Sequence, residues 1–190
     1  EQQPIKETQA FNPANPYAVS KVGEDMIALM YYTNYKLKII RTRFFTHTGP
    51  RRVMMSAECF YAKYIAEMEK GKRELIMPLG NMESIRTWAD VKDSVKAYYL
   101  LARTDKYGEV FNMGGETVKS IQEVLDYMLY LSNLDKSKIK FEIDPTLLRK
   151  ADVNIQLVDI SKLKKTIDWE PEIPWEATML RVLNYWRENV

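Results

Sequence analysis

Stretches with the periodicity of amphipathic helices alternate with short strand-like stretches along the whole chain, and only brief turns separate them. This alternation is typical of α/β proteins, in which helices pack against a sheet built from the strands next to them in sequence. We see no segment long enough to act as a linker, and 190 residues with 46% hydrophobic content can bury a substantial core. The sequence therefore predicts one compact α/β body.

Caps and breakers give the expected bounds of these elements. Pro16 opens the first helix, Asp90 and Ser161 cap later ones, and Ser120 with Glu123 forms a capping box. Helices are expected over about 17–35, 56–70, 91–102 and 121–131, from Ser161, and from Pro174 onward; strands are expected over 37–44, 75–77, 109–113 and 139–143. Pro78 should end the strand at 75–77. The first helix carries one apolar stripe: Val19, Val22, Met26, Ile27 and Met30.

Composition narrows the classes of function. Lysine and arginine total 28 and aspartate and glutamate 26, mixed along the chain, so no polybasic stripe for nucleic acid is present. Cys59 and His47 are the only cysteine and the only histidine, which argues against disulfides and Cys- or His-based metal sites. No apolar run reaches the length of a membrane span, and nothing resembles a signal peptide. We expect a cytoplasmic protein without a metal, nucleic-acid or membrane partner.

The motif that carries chemistry is Tyr17 and Lys21 in an Asn-Pro-Tyr-Ala-Val-Ser-Lys segment. Side chains four residues apart share a helix face, so the ammonium can stabilise a phenolate that acts as a proton shuttle. Tyr32 and Lys36 have the same spacing, and we interpret that pair as structural. Tyr17 differs because it lies at the N-terminal end of the helix, where the helix dipole favours an anion. The pair predicts a sugar or alcohol oxidoreductase.

Several further segments, in order, give the chain a family resemblance. Residues 1–52 resemble the extended short-chain dehydrogenases that act on nucleotide sugars, and 43–52 (Arg-Phe-Phe-Thr-His-Thr-Gly-Pro-Arg-Arg) resemble GDP-mannose 4,6-dehydratases. Segments 79–93, 144–152, 159–162, 168–174 and 184–187 are similar to that group too. The resemblance implies the C-terminal part of a Rossmann-like fold with its small α/β substrate-binding region. Residues 1–47 would end the dinucleotide-binding domain, and 48–190 would mainly bind substrate, with some elements returning to the Rossmann sheet.

The resemblance also implies roles for individual side chains. Tyr17 would be the acid/base at the sugar O4 and Lys21 would hold the nicotinamide ribose, so both belong to the catalytic and cofactor-binding sets. His47 and Arg52 would lie against the cofactor, which is NADP or NAD, while Arg51 is expected in a structural ion pair.

The nucleotide-sugar substrate, a GDP-hexose, is assigned to residues from separate loops. Arg86 and Arg149 would hold the diphosphate, and Asp152 would accept from the ribose hydroxyls. Thr46 would contact the sugar-nucleotide in place of the family's Asn, with one hydroxyl where that family has an amide. Thr87 replaces an Asp after Arg86, which would remove a carboxylate that could orient the guanidinium.

The activity implied is an NAD(P)-dependent GDP-mannose 4,6-dehydratase, present here as a C-terminal fragment without the glycine-rich cofactor loop. The dehydratase's C5 base, a Glu, would lie before Glu1 in that family. A GDP-4-keto-6-deoxyhexose reductase or an epimerase of the same superfamily would use the same Tyr and Lys. An inactive nucleotide-sugar-binding or structural fragment is the third alternative. The spare apolar face of the first helix favours a homo-oligomer.

Overall fold

The computed structural model describes residues 3–148 and 153–190 and has the mixed α/β architecture expected from the sequence. The described helices are α1 (Pro16–Tyr35), α2 (Ala57–Glu69), α3 (Val91–Ala102), α4 (Ile121–Tyr130), α5 (Ser161–Ile167) and α6 (Trp175–Asn189). The described strands are β1 (Arg41–Phe44), β2 (His47–Thr48), β3 (Ile76–Leu79), β4 (Ile85–Asp90), β5 (Val110–Met113), β6 (Thr117–Ser120), β7 (Lys140–Ile143) and β8 (Ile155–Gln156). Short 3-10 turns cover Lys136–Lys138 and Pro145–Leu147.

One half of the structure is built on the parallel pair β1 and β5, which are far apart in sequence. Arg41 pairs with Val110, and Phe44 with Met113. The helices α3 and α5 pack here, and Leu101, Phe111, Met113 and Leu163 are buried together with Trp169. Parallel strands require a crossover connection. All residues between β1 and β5 form this connection, and it includes β2, α2, β3 and β4, which belong to the second half of the structure.

The second half is organised around β4. This strand runs parallel to β2 and β8 and antiparallel to β6. A larger apolar core lies beside it, formed by α2, α4 and α6, with side chains that include Ile65, Met77, Leu125, Met179 and Leu183. The parallel pair β3 and β7 lies at its edge. Because β2 follows β1 after only two residues and pairs with β4, the turn after β1 joins the two halves.

The segment before α1 crosses between these elements. Ile5 bridges to Val158, and the Glu7 carboxylate accepts a hydrogen bond of 2.9 Å from the backbone N–H of Asn112 in β5. The segment then enters α1 through Asn15, whose side chain accepts from the N–H of Ala18 at 2.8 Å. The first two contacts hold the segment that leads into α1 against β5 and Val158.

Four of the five residues in the α1 stripe are exposed and Val22 is partly buried, which agrees with the spare apolar face expected from the sequence. Three other expectations were wrong in detail. Pro78 lies inside β3 rather than ending it, since a strand paired on one side tolerates a missing N–H. Ser161 is the first residue of α5 and not its cap. The strands β2, β4, β6 and β8 were missed because they are short or polar.

Candidate functional site

The N-terminal end of α1 brings Tyr17 and Lys21 together. The Lys21 ammonium lies 5.7 Å from the centroid of the Tyr17 ring, and 71% of Tyr17 is exposed. Lys21 donates to both carboxylate oxygens of Glu24 at 2.9 Å. This hydrogen bond and the Glu24 charge raise the pKa of Lys21, so the ammonium stays protonated beside the phenol. The pair thus has the cation and the accessible hydroxyl that proton transfer requires.

Distance alone does not distinguish this pair from the second pair of the same spacing. Lys36 lies 5.9 Å from the Tyr32 ring centroid. Tyr32, however, lies near the C-terminal end of α1 and packs so closely on Gly108 that a Cβ there would come within 2.1 Å of its ring. Tyr17 is the exposed member at the positive end of the helix dipole, and it remains the candidate.

The turn from the end of β1 into α2 holds three further predicted residues: Thr46, His47 and Arg52. The Thr46 carbonyl accepts from the N–H of Ala89 at 3.0 Å, which fixes the turn to the end of β4. His47 Nδ1 lies 3.1 Å from the carbonyl oxygen of Phe45. A carbonyl only accepts, so Nδ1 carries the proton in this hydrogen bond, and Nε2 of the neutral ring is left as an acceptor.

Arg52 is held by protein groups on one side of its guanidinium. Its Nη1 donates to Glu58 at 2.9 Å and also to the His47 carbonyl. Arg51 is exposed with φ 70° and makes no ion pair within the described residues, so the expected structural ion pair belongs to Arg52 instead. The sequence missed Glu58 because a carboxylate in the first turn of a helix usually faces solvent.

Arg86 lines a cavity of about 210 Å³ between α2 and the beginning of β4. Its Nη1 donates to the Ile85 carbonyl at 2.8 Å. The other lining residues are Met54, Met55, Ala57, Phe60, Tyr61, Gly80, Asn81, Ser84, Ile121 and Leu147. Burial raises the pKa of the Tyr61 phenol, so this hydroxyl is neutral at physiological pH. An apolar cavity with one guanidinium at its wall suits a base joined to a phosphate.

Arg149 and Asp152 lie outside the described residues. Leu147, which precedes Arg149 by two residues in the sequence, lines the Arg86 cavity. Thr87 is buried, and within the described part of the chain its hydroxyl has no hydrogen-bond partner. Side chains alternate along β4, so position 87 faces away from Arg86. This alternation argues against the expectation that a carboxylate at position 87 would orient Arg86.

A larger cavity of about 350 Å³ is lined by Trp88, Trp175 and three acidic residues. Each carboxylate already has a cation: Asp90 pairs with Arg181, Glu116 with Lys164 and Glu172 with Lys96. Each of these ion pairs joins one helix, α6, α5 or α3 respectively, to a strand end or a connecting segment. The cavity contains none of the predicted site residues. We therefore do not assign the site to it.

No metal cluster and no membrane helix are found in the described ranges 3–148 and 153–190. No three His, Cys, Asp or Glu side chains are grouped so that they could hold a metal ion, and no helix is long and apolar enough to cross a membrane.

This fold and the Tyr-Lys helix define an extended short-chain dehydrogenase/reductase. The NADPH complex of RMD from Pseudomonas aeruginosa aligns with a TM-score of 0.90 at 24% identity, covering 99% of this chain and 61% of that chain. The dTDP-glucose 4,6-dehydratase of Bacillus anthracis, solved with NAD, aligns with a TM-score of 0.77 at 26% identity, covering 97% of this chain and 58% of that one.

The chain belongs to the GDP-mannose 4,6 dehydratase family, whose sequence model matches residues 1–181. It is 27% identical to a GDP-6-deoxy-D-mannose reductase of Pseudomonas aeruginosa over 98% of this chain and 60% of the relative. A UDP-glucuronate 4-epimerase of Thermodesulfobacterium geofontis is 30% identical, over 94% and 52%. A GDP-mannose 4,6-dehydratase of Yersinia enterocolitica is 27% identical, over 91% and 53%. The chain thus spans between half and two thirds of the length of these relatives, and the resemblance seen in the sequence is confirmed.

Proposed function

We propose that this chain supplies the proton-transfer pair and the nucleotide-sugar pocket of an NAD(P)-dependent 4,6-dehydratase acting on GDP-mannose. The observation that carries the proposal is the exposed Tyr17 phenol beside Lys21, in a chain whose residues 1–181 match the dehydratase family. Tyr17 takes the proton of the sugar O4 hydroxyl as C4 is oxidised to a ketone. In a 4,6-dehydratase the product keeps that 4-keto group.

Lys21 supports this proton transfer by electrostatics. A cation next to a phenol favours the phenolate and so lowers the cost of removing its proton. The Lys21–Glu24 ion pair competes for the ammonium, but the two side chains are 50% and 65% exposed. Ion pairs at that exposure contribute little, so Lys21 can turn to a ribose hydroxyl and the phenolate when ligand is bound.

The residues present fit a nicotinamide cofactor. Lys21 and Arg52 offer N–H donors to ribose and carboxamide oxygens, and the Nε2 atom of His47 offers an acceptor. The cofactor, when bound, supplies reversible hydride transfer. His47 begins β2 and Arg52 follows in the turn between β2 and α2, so one short segment would present both groups.

For the substrate, we assign the diphosphate to Arg86 and Arg149, the base to the cavity beside Arg86, the nucleotide ribose to Asp152, and a sugar-nucleotide contact to Thr46. Support comes from the cavity, which Arg86 and Leu147 both line, and Leu147 precedes Arg149 by two residues in the sequence. A guanidinium binds a phosphate through two parallel N–H donors. Two such groups can neutralise both phosphates of a nucleoside diphosphate.

A GDP-4-keto-6-deoxyhexose reductase is the second candidate. The alignment with a GDP-6-deoxy-D-mannose reductase covers 98% of this chain. A reductase needs the same Tyr17 and Lys21 to deliver the O4 proton. It differs because each turnover consumes one reduced cofactor. An epimerase, as in the UDP-glucuronate relative, would instead invert C4 and return the hydride.

The three activities are separated by one assay on the polypeptide that carries this chain in its natural length. Incubation with GDP-mannose should give a 4-keto-6-deoxy product without net change in cofactor. Stoichiometric oxidation of NADPH with a 4-keto-6-deoxy sugar would favour the reductase, and a C4 epimer would favour the epimerase. If none of these three products forms, the proposal is contradicted.

The nucleotide pocket can be tested separately on this chain by calorimetry with GDP. Arg86→Ala should lose binding, while Arg103→Ala is the matched control, because Arg103 is an exposed arginine that stacks 5.4 Å from the Tyr99 ring. Equal GDP affinity in wild type and Arg86→Ala would contradict the Arg86 assignment. Binding of GDP without activity in the longer polypeptide would favour the inactive nucleotide-sugar-binding fragment.

The exposed stripe of α1 supports a homo-oligomer. Val19, Met26, Ile27 and Met30 are 56%, 40%, 56% and 38% exposed, and they repeat at the spacing of one helix face. An apolar helix face of this kind gains by packing on another apolar face. Met26→Lys with Ile27→Lys should lower the mass measured by light scattering. Val95→Lys, at a 60% exposed position of α3, should leave it unchanged.

A further inference from the structure

Glu58 is a buried carboxylate for which the sequence assigns no role. It is the second residue of α2 and is 1% exposed. A carboxylate is rarely buried unless it is paired with a cation or fully hydrogen-bonded. The first turn of a helix favours negative charge through the helix dipole, but that effect alone does not require burial. Its partners give the reason for its position.

Two side chains from the preceding turn donate to the same oxygen of Glu58. The Thr48 hydroxyl donates to Oε1 at 2.6 Å, and Arg52 Nη1 donates to it at 2.9 Å. Arg52 Nη1 also donates to the His47 carbonyl. The carboxylate therefore ties β2 and the end of the turn to α2, and closes the turn over His47.

This turn needs such support because its backbone is strained. Arg51 has φ 70°, a left-handed conformation that costs free energy in any residue other than glycine. The Arg52 N–H reaches the Gly49 carbonyl at only 3.4 Å, which is a weak bond. The Glu58 hydrogen bonds are shorter and charge-assisted, so they are the interactions that hold the turn in this form.

The arrangement leaves one side of Arg52 for a ligand. Glu58 and the His47 carbonyl occupy Nη1, whereas Nε and Nη2 have no acceptor among the residues that the structure describes. The side chain is 33% exposed, and Glu58 is 2% exposed. A guanidinium anchored at one nitrogen presents the others in a defined direction, because the group is planar.

We propose that Glu58 is a positioning residue of the cofactor site: its carboxylate aims Arg52 and fixes the turn that carries His47. The proposal rests on the proposed function, in which Arg52 binds the cofactor. Glu58 itself touches no ligand. It acts through Arg52, so its effect on binding should disappear when Arg52 is removed.

The test is a double-mutant cycle in the natural-length polypeptide, with NADPH and NADH titrated by their fluorescence. Glu58→Gln keeps the size of the side chain and removes its charge. We expect it to weaken cofactor binding by about tenfold, the usual effect of losing one charge-assisted hydrogen bond. Arg52→Gln should weaken binding at least as much, and the double variant should bind no more weakly than Arg52→Gln.

Glu69→Gln is the matched control. Glu69 lies on the same helix, has a side chain that is 9% exposed, and binds Arg187 through two hydrogen bonds of 2.7 Å at the opposite end of α2. It should lose stability without losing cofactor affinity. Glu58→Asp keeps the charge on a shorter side chain, and it replaces Glu58→Gln in the cycle if that variant does not fold. A partial loss is then expected.

The outcomes separate this proposal from the one on which it rests. If Arg52→Gln weakens binding and Glu58→Gln does not, or if Glu69→Gln weakens it equally, the positioning role is overturned and the cofactor site stands. If the wild type binds no cofactor, or Arg52→Gln binds it normally, the assignment of Arg52 fails and the role of Glu58 fails with it. In this chain alone, the Arg52 guanidinium resonances should broaden in Glu58→Gln, since rotation of Nη1 is then less restricted.

Discussion

Asp90 is the residue whose removal should most weaken the link between β4 and the helices that support the site. It ends β4 and caps α3, where Oδ1 accepts from the N–H of Lys92 at 2.8 Å. Its other oxygen accepts from the Thr178 hydroxyl at 2.6 Å and from Arg181, both on α6. The side chain of Asp90 is fully buried. Replacement by alanine therefore removes a cap and leaves two donors without their acceptor.

The size of the effect follows from these contacts. A lost cap costs about 1 kcal/mol. Breaking a buried ion pair from one side costs about 3–5 kcal/mol, and the 30% exposure of the Arg181 side chain places this case at the lower end. Because the contacts share one carboxylate, they do not add fully. We expect Asp90→Ala to lower the free energy of unfolding by about 4 kcal/mol, or about 10–15 °C in Tm for a chain of this length.

Urea unfolding followed by tryptophan fluorescence would measure this loss. Asp90→Asn should lose about half as much, because an asparagine still caps the helix but lacks the charge that pairs with Arg181. Asp135→Ala is the control for capping alone, since Asp135 accepts from Ser137 N–H at 3.1 Å on an exposed turn. If Asp90→Ala were no less stable than Asp135→Ala, the reasoning that the buried link between β4 and α6 stabilises the fold would be refuted.

Three further predictions concern the catalytic pair, pH and packing. Tyr17→Phe should abolish turnover in the natural-length polypeptide. It should leave Tm unchanged, because 71% of Tyr17 is exposed. Tyr32→Phe should keep activity, and equal rates in the two variants would contradict the assignment of Tyr17. Burial by itself raises the pKa of Glu69, but hydrogen bonds from Arg187 and the Asn133 N–H, with the Arg187 charge, bring it below the ordinary value of 4.5. Its contribution to stability is therefore present above that value and lost as pH falls through the folded pKa, so the stability difference between wild type and Glu69→Gln should shrink in acid unfolding titrations. Gly115→Ala should prevent folding, since the added Cβ would lie 1.6 Å from the Trp88 carbonyl oxygen. A Cβ at Gly23 meets nothing within 4 Å, so Gly23→Ala should raise the free energy of unfolding by about 0.5–1 kcal/mol. Circular dichroism of both variants would check these two predictions.

Local signals in the sequence predicted most of the elements. The helix from Pro16, the Asp90 cap and the Ser120–Glu123 capping box are all present, because each depends on contacts within a few residues. The strands β2, β6 and β8 were not predicted. They have two to four residues and gain their order from pairing with β4, and no periodicity can be read from so few residues.

In the candidate site too, the sequence predicted contacts between residues on one helix and missed contacts that depend on a turn or a strand. The spacing of Tyr17 and Lys21 predicts their contact, since a helix alone brings them together. The pairing of Arg52 with Glu58 involves two residues six apart across a turn and a helix cap, and no spacing rule covers that geometry. The position of Thr87 on the face opposite Arg86 likewise follows from β4 being a strand, which its polar residues concealed.

By itself, the sequence determined the helices, most of their predicted caps, the Tyr17–Lys21 pair and the family, because these depend on neighbours along the chain and on motifs in a fixed order. Only the tertiary structure decided which charges are buried and which apolar faces remain exposed. The sequence assigns Glu58 no role and Asp90 only the role of a helix cap, yet both carboxylates lie inside the protein. Burial depends on which distant parts of the chain pack against a residue, and composition and periodicity do not show which parts those are.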